Sequence, residues 1–230
     1  MSVNIDTLAS LAGVHKLAPG TMKALAQRGT LVSHQADEIF FLQGDSPTGL
    51  FILRSGCVKF FRQSHDRVQI LNLLLPGDWF GAESLPTDSP SPCTATALTP
   101  TLSVYIAPDE LRLLLTDYPD FQEIFLGLVA NRLKQFVALV HDLAFRDVAS
   151  RLAAVLVMRA QREGQQTVDG ICFERLLSQQ EFAQMVGTAR EVINRTFKRF
   201  EQSGLVRLTP NQITILDLER LACLLYTSPS

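Results

Sequence analysis

The spacing of apolar residues changes character along the chain. Residues 3 to 30 place Ile5, Leu8, Leu11 and Leu25 at helical spacing, interrupted at Pro19-Gly20. From residue 31 to 106 the apolar residues come instead in short runs, at 39–42, 50–53, 57–62, 69–74, 94–98 and 102–106. Turn formers separate them at Gly44-Asp45, Ser55-Gly56, Pro76-Gly77-Asp78 and across 86–92. Short strands punctuated this closely predict a small barrel or jelly roll, the arrangement in which each strand buries its apolar side against another sheet.

The spacing then lengthens. A helix is expected over 121–145, with Pro119 near its start. Leu126, Val129, Leu133, Phe136, Val140 and Leu143 recur at intervals 3-4-3-4-3. That stripe is narrow enough to be a coiled-coil seam pairing two copies of the chain, with packing on its own domain as the alternative. A second helix is expected over 146–162, followed by a loop over 163–170. No apolar run reaches the roughly 18 residues that cross a bilayer. The first ten residues lack a basic region leading into an apolar stretch, so neither membrane nor secretion is expected, and the cytoplasm is.

The stretch LSQQEFAQMVGTAREVINRTFKRFEQSGLV, residues 177–206, carries the most specific signal. Ser178 with Glu181, and Thr188 with Glu191, both have capping-box spacing, and Gly187 lies between them. Two short helices around such a turn make a helix-turn-helix. On a wheel of about 100° per residue, Arg190, Glu191, Asn194, Arg195 and Lys198 share one face. Val192, Ile193, Thr196, Phe197 and Phe200 share the other. The polar face has the chemistry for reading a DNA major groove: arginine can grip guanine with two hydrogen bonds, and a carboxylate can accept from cytosine. Asn194 joins this set, while Thr188, Lys198 and Arg199 are placed to hold phosphates. Two β runs, 205–208 and 213–216, flank a Thr-Pro-Asn-Gln turn and predict a wing. The alternative is a solvated amphipathic helix with ordinary surface charge.

Composition changes this picture little. The net charge of −2 does not advertise nucleic acid, but residues 178–207 hold five basic side chains against three acidic ones. Cys57, Cys93, Cys172 and Cys223 are far apart, without a CxxC pair, which argues against a zinc ribbon or a local iron–sulfur motif. No His-x-His, GxSxG or P-loop is present, so a cupin-like metalloenzyme is the weakest reading and no catalytic or metal residue is assigned. A ligand-binding module without DNA binding is the other alternative.

At this point the chain resembles the Crp/Fnr family of bacterial transcription regulators over nearly its whole length. EIFFLQGDSPTGLFILRSGCVKFF resembles the family's β-roll entry, PGDWFGAESL its effector-pocket segment and LAFRDVASRLAAVL its junction. AREVINR resembles the recognition helix and LDLERL the closing segment after the wing. The resemblance implies an α+β chain divided into a jelly-roll sensor of the cyclic-nucleotide-binding type (1–116), a dimerisation helix (117–145) and a winged helix-turn-helix (146–222). The tail 223–230 departs from the family pattern, reads as a candidate non-native segment and is assigned no function. A homodimer on a palindromic GTGA-like site is implied, with Arg190 and Arg195 on guanines and Glu191 on a cytosine. RNA polymerase is an implied partner if the chain activates.

By the same resemblance, Phe80, Gly81, Ala82, Glu83, Ser84, Leu85 and Arg132 form the effector pocket. Cyclic-AMP binders in the family set an arginine just after that segment, whereas residues 88–96, DSPSPCTAT, hold no cation. That counts against cyclic AMP. The junction is closest to the nitrogen-control regulators, which respond to 2-oxoglutarate and use an arginine at the place of Arg132. Their second pocket arginine is missing here. Another small ligand, or none, stays open. Haem is the remaining cofactor option, with His141 as its candidate ligand.

Overall fold

The structure is a computed structural model and describes residues 3–4, 8, 14–46, 48–82 and 89–225. The chain divides into two compact units, residues 1–135 and 136–230.

Among the described residues of the first unit, helix α1 (Pro19–Arg28) precedes eight strands. They are β1 (Thr30–His34), β2 (Ile39–Phe41), β3 (Leu50–Ser55), β4 (Val58–Ser64), β5 (Arg67–Leu74), β6 (Trp79–Phe80), β7 (Thr94–Ala97) and β8 (Thr101–Ile106). Helices α2 (Pro108–Asp117) and α3 (Pro119–Phe145) follow, α3 continuing past residue 135 into the second unit. The strands form two antiparallel sheets, in the orders β1-β8-β3-β6 and β2-β7-β4-β5.

Strand β3 explains why the apolar runs lack alternation. Phe51 and Leu53 join a core with Phe41, Val58, Phe60, Leu74, Phe80 and Ala95. Leu50 and Ile52, on the opposite side of the pleat, join a second core with Leu25, Trp79, Val104, Leu111, Phe121 and Phe125. Both faces of that strand are therefore covered, one by strands and one by helices. Gly56 makes the β3–β4 turn possible. Its φ is +85°, and a Cβ there would lie 2.3 Å from the carbonyl oxygen of Pro100.

Pro19-Gly20, expected to break a helix, starts one: Pro19 opens α1, where its missing N–H costs nothing. Asp120 fastens that end from a distance, accepting from Ala18 N–H and the Thr21 hydroxyl at 2.8 Å each. Strands β1 and β6 were not among the expected runs. Each is held by a longer neighbour in the same sheet, β1 by β8 and β6 by β3.

Helix α3 is long and apolar enough, by length and composition, to cross a membrane. Most of its exposed large apolar residues, Leu126, Val129, Leu133, Val137, Val140 and Leu143, fall on one stripe, Phe145 lies off it, and Arg132 and Lys134 interrupt the run.

In the second unit, α4 (Val148–Glu163), α5 (Gln179–Val186), α6 (Arg190–Gln202) and α7 (Leu218–Cys223) pack with β9 (Gln165–Thr167), β10 (Gly170–Glu174), β11 (Val206–Leu208) and β12 (Gln212–Ile215). The strands make one antiparallel sheet in the order β11-β12-β10-β9. Asp147 caps α4, its Oδ1 accepting from Ser150 N–H at 2.7 Å, so the helix begins two residues later than its apolar pattern. The expected loop 163–170 contains β9 and leads into β10. Gly164 and Gly170 bracket this hairpin, and a Cβ on Gly170 would lie 2.1 Å from Ile215 O. Arg159 is fully buried; it pairs with Glu163, donates to Glu174 O at 2.9 Å and lies 4.8 Å from the centroid of the Phe173 ring.

Candidate nucleic-acid interface and sensor pocket

The helix-turn-helix is set by its ends. Ser178 Oγ accepts from Glu181 N–H, and Glu181 Oε2 accepts from Ser178 N–H, closing the capping box of α5. Gly187 ends that helix in the left-handed region at φ 71°, and the N–H of Thr188 also returns to Ala183 O.

The second expected capping box does not form. Helix α6 starts at Arg190 with Ala189 at the N-cap, and no side chain caps it. Thr188 sits one residue too early, its backbone already committed to closing α5. The first amides of α6 therefore lack a side-chain acceptor, and the positive end of the helix dipole accompanies them. Phe182 and Phe197 meet edge to face with centroids 5.2 Å apart, which locks the two helices together.

On α6, Ile193, Thr196, Phe197 and Phe200 are buried. Arg190, Glu191, Arg195, Lys198 and Arg199 are exposed. Asn194 differs from the expectation of a free reading group: it is half-buried, and Gln179 Nε2 donates to its Oδ1 at 3.4 Å. Arg199 also has a neighbour. Burial raises the Asp147 carboxyl, but hydrogen bonds from Ser150 outweigh this and, with Arg199 and Arg151, hold it below the usual range. Thr188 is half-buried. The wing strand is tied to α6 by Glu201, which accepts from Leu208 N–H at 3.1 Å. On the same strand, Arg207 pairs with Asp169 of the β9–β10 turn at 2.7 Å.

In the first unit, a cavity of about 140 Å³ lies between the β-roll and α3. Trp79, Phe80 and Ala82 line one side, Phe125, Leu128 and Arg132 the other. Arg132 donates to Trp79 O at 3.0 Å and to Gln135 Oε1 at 3.4 Å, and its guanidinium carbon lies 5.4 Å from the Phe60 ring centroid. Asn72, on β5, donates to the same Gln135 oxygen at 3.0 Å. Thus Phe80, Ala82 and Arg132 of the expected pocket come together. Gly81 (φ +93°) lies against the roll, where a Cβ would come within 2.8 Å of Gly49 O. Glu83, Ser84 and Leu85 fall outside the described residues. Sequence reasoning had Trp79 inside the quoted pocket segment but did not assign it, and missed Asn72 and Gln135. Asn72 and Gln135 meet only through the fold.

The interior of the roll is filled by aromatic side chains. Phe80 stacks on Phe51 at 5.2 Å and meets Phe60 at 5.7 Å, both in near-ideal aromatic geometries. On α3, Leu126, Leu133 and Val140 are 60%, 64% and 66% exposed, with Val129 and Leu143 also open. Phe136 is half-buried, and the exposed neighbour at that level is Val137. His141 carries an exposed ring against Phe145 and Asp142. Among the described residues no group of three or more His, Cys, Asp or Glu side chains gathers to hold a metal ion.

Comparison with known proteins converges on the same architecture. Residues 31–118 match the cyclic nucleotide-binding domain, and residues 150–224 match the Crp-like helix-turn-helix domain. The chain is 33% identical over 220 residues to the CRP-like cAMP-activated global transcriptional regulator of Mycobacterium tuberculosis, covering 95% of this chain and 98% of that protein. It is 28% identical over 178 residues to the global nitrogen regulator of Synechocystis, covering 76% and 79%. In fold it is similar to FixK2 from Bradyrhizobium japonicum, with a TM-score of 0.77 at 20% identity over 87% of this chain and 99% of that one. A β-roll followed by a long helix and a winged helix-turn-helix, matched along its length by such relatives, makes this chain a member of the Crp/Fnr family of DNA-binding transcription regulators.

Proposed function

We propose that the chain acts as a homodimer on a palindromic, GTGA-like DNA site. The observation that carries this reading is the division of α6. Ile193, Phe197 and Phe200 anchor one face in the domain, while Arg190, Glu191 and Arg195 stand exposed on the other. Arg190 and Arg195 read guanines through paired hydrogen bonds and Glu191 accepts from a cytosine. Lys198, Thr188 and the uncapped amides of α6 hold phosphates, with Arg199 contributing from the flank. Asn194, held by Gln179, positions the helix more than it reads bases. The exposed stripe Leu126, Val129, Leu133, Val140 and Leu143, with Phe136 and Val137 between, is buried against a second copy. Two-fold symmetry then sets half-sites one helical turn apart, about 34 Å.

In functional terms, residues 1–116 sense, 117–145 dimerise and 146–222 read DNA, a division of labour suited to the cytoplasm. If the protein activates transcription, the β9–β10 hairpin, with Val168 fully exposed at its turn, is the surface we assign to RNA polymerase.

The effector in this reading is not cyclic AMP. The Mycobacterium relative is named as cAMP-activated. Here residues 88–96 carry no cation, the roll interior holds Phe51, Phe60 and Phe80, and the cavity beside it measures about 140 Å³. A buried phosphate without a cation is poorly compensated.

The test is a fluorescence-anisotropy titration of effector-free protein on a GTGA-type palindromic duplex and on a scrambled one at fixed salt. Tight binding to the palindrome alone is expected if the protein reads DNA without a ligand. Equal, weak binding that stays equal with every effector would return the chain to a ligand-binding module.

A further inference from the structure

We infer that the first unit holds a further ligand site, a cleft on the β1–β2 side of the roll that takes a small, uncharged aromatic molecule carrying one N–H or O–H donor. Strands β1 and β2 are edge strands, each the outermost of its own sheet. Their rings close the space between the sheets. His34 of β1 lies 3.8 Å from Phe40 of β2, centroid to centroid, and Phe40 meets Phe51 of β3 edge to face at 5.2 Å. Tyr105 of β8 lies 4.9 Å from Phe51 in turn. Gly49, at φ +104°, lets the chain approach the end of β8 so closely that a Cβ there would stand 2.4 Å from Ile106 O. That approach brings Thr48 to Tyr105, whose hydroxyl donates to Thr48 O at 2.9 Å. The result is an open cleft of about 620 Å³, with Val32 and Pro108 completing its apolar wall. It shares no lining residue with the cavity beside α3.

Charge and hydrogen bonding narrow what fits. Among the described residues of the lining there is no Lys, Arg, Asp or Glu. His34 adds no cation. Burial lowers its imidazole below the ordinary range and outweighs the opposite pull of Glu38. Its Nδ1 is also buried without a hydrogen-bond partner, so the second proton of a charged ring would stand unpaired. Burial raises the Tyr105 hydroxyl, which stays uncharged as well. An ion entering the cleft would therefore leave water without gaining a counter-charge. The polar atoms that remain ask for a donor. Tyr105 has given its proton to Thr48 O, so its oxygen can only accept. Nε2 of His34, not buried in the way of Nδ1, is the ring nitrogen left to a ligand. Phe40, Phe51 and Tyr105 supply the ring surfaces against which a flat aromatic packs. The cleft is roomier than the roughly 150 Å³ that holds one benzene ring, so a fused two-ring molecule fits.

The experiment titrates full-length protein with indole, indole-3-acetate and tryptamine, which share one ring system and are neutral, anionic and cationic near neutral pH. Heteronuclear NMR of the imidazole nitrogens gives a site-specific reading, because the chain has four histidines and only His34 lines the cleft. Indole should shift the His34 signals saturably and leave those of His15, His65 and His141 in place. Indole-3-acetate and tryptamine should bind at least about tenfold more weakly. By calorimetry, Tyr105→Phe, which keeps the ring but loses the accepting oxygen, should weaken indole by about three- to tenfold. His34→Phe, which keeps a ring against Phe40, should do the same while melting near the parent. If both variants unfold, the NMR titration of the parent decides alone. No saturable shift at His34 in the millimolar range, equal binding of the three ring compounds, or unchanged affinity in both folded variants overturns the inference. The outcome is independent of DNA reading, which uses none of these residues.

Discussion

At the scale of single residues, Arg190 offers the sharpest test. Its replacement by alanine should cost about 1–3 kcal/mol of DNA binding and relax preference at one base pair of each half-site. Titrations over duplexes substituted one position at a time would show this, and uniform weakening over all sequences would make Arg190 a phosphate contact instead. Asp120 predicts a pH effect. Burial raises its carboxyl, but bonds from Ala18 N–H, the Thr21 hydroxyl and Phe121 N–H prevail and hold it below the usual range. A carboxylate depressed in the folded state contributes stability above its unfolded pKa and loses it as pH falls through the folded value. Asp120→Asn should therefore flatten the acid limb of a thermal-melt profile measured against pH. The exposed polar face of α6 was legible in the sequence because a 3.6-residue period sorts Arg190, Glu191, Arg195 and Lys198 onto one side. The Gln179–Asn194 bond was not, since it joins side chains on different helices whose crossing no periodicity encodes.

Elements carry the next level of specification. Ser178→Ala removes an N-cap and should lower stability by about 1 kcal/mol, read by urea unfolding, with Thr188→Ala near neutral because it caps nothing. The seam of α3 makes a stronger claim. Leu133→Glu places like charges at the centre of the proposed interface and should turn a dimer into a monomer in analytical ultracentrifugation, with a parallel loss of affinity for the palindrome. A variant that stays dimeric would move the interface elsewhere. The apolar stripe of α3 could be read from spacing alone, because a 3-4 repeat keeps those side chains on one face whatever covers it. The β9–β10 hairpin could not: Gln165, Gln166 and Thr167 are all exposed, so their strand has no apolar signal and depends on pairing with Gly170, Ile171 and Cys172.

For the molecule as a whole, the jelly roll was visible in its punctuation, but the division of β3 between two cores was not. An unbroken apolar run says that both faces are covered without saying by what. DNA binding by the intact protein should weaken steeply with salt, since each neutralised phosphate releases counterions, and a plot of log affinity against log salt would count them. A flat plot would argue against a phosphate-gripping interface. Helix α3 has one more consequence. It runs unbroken from Pro119 to Phe145 while the boundary between the two units falls after Gln135. Each added residue turns a helix by about 100° and lengthens it by about 1.5 Å. A single residue inserted at that boundary would swing Val140 and Leu143 out of line with Leu126 and Leu133, whereas seven would restore the alignment to within about 20°. In the proposed dimer, affinity for the palindrome should survive insertions there by the heptad and fall for those between, as anisotropy on the same duplex would show.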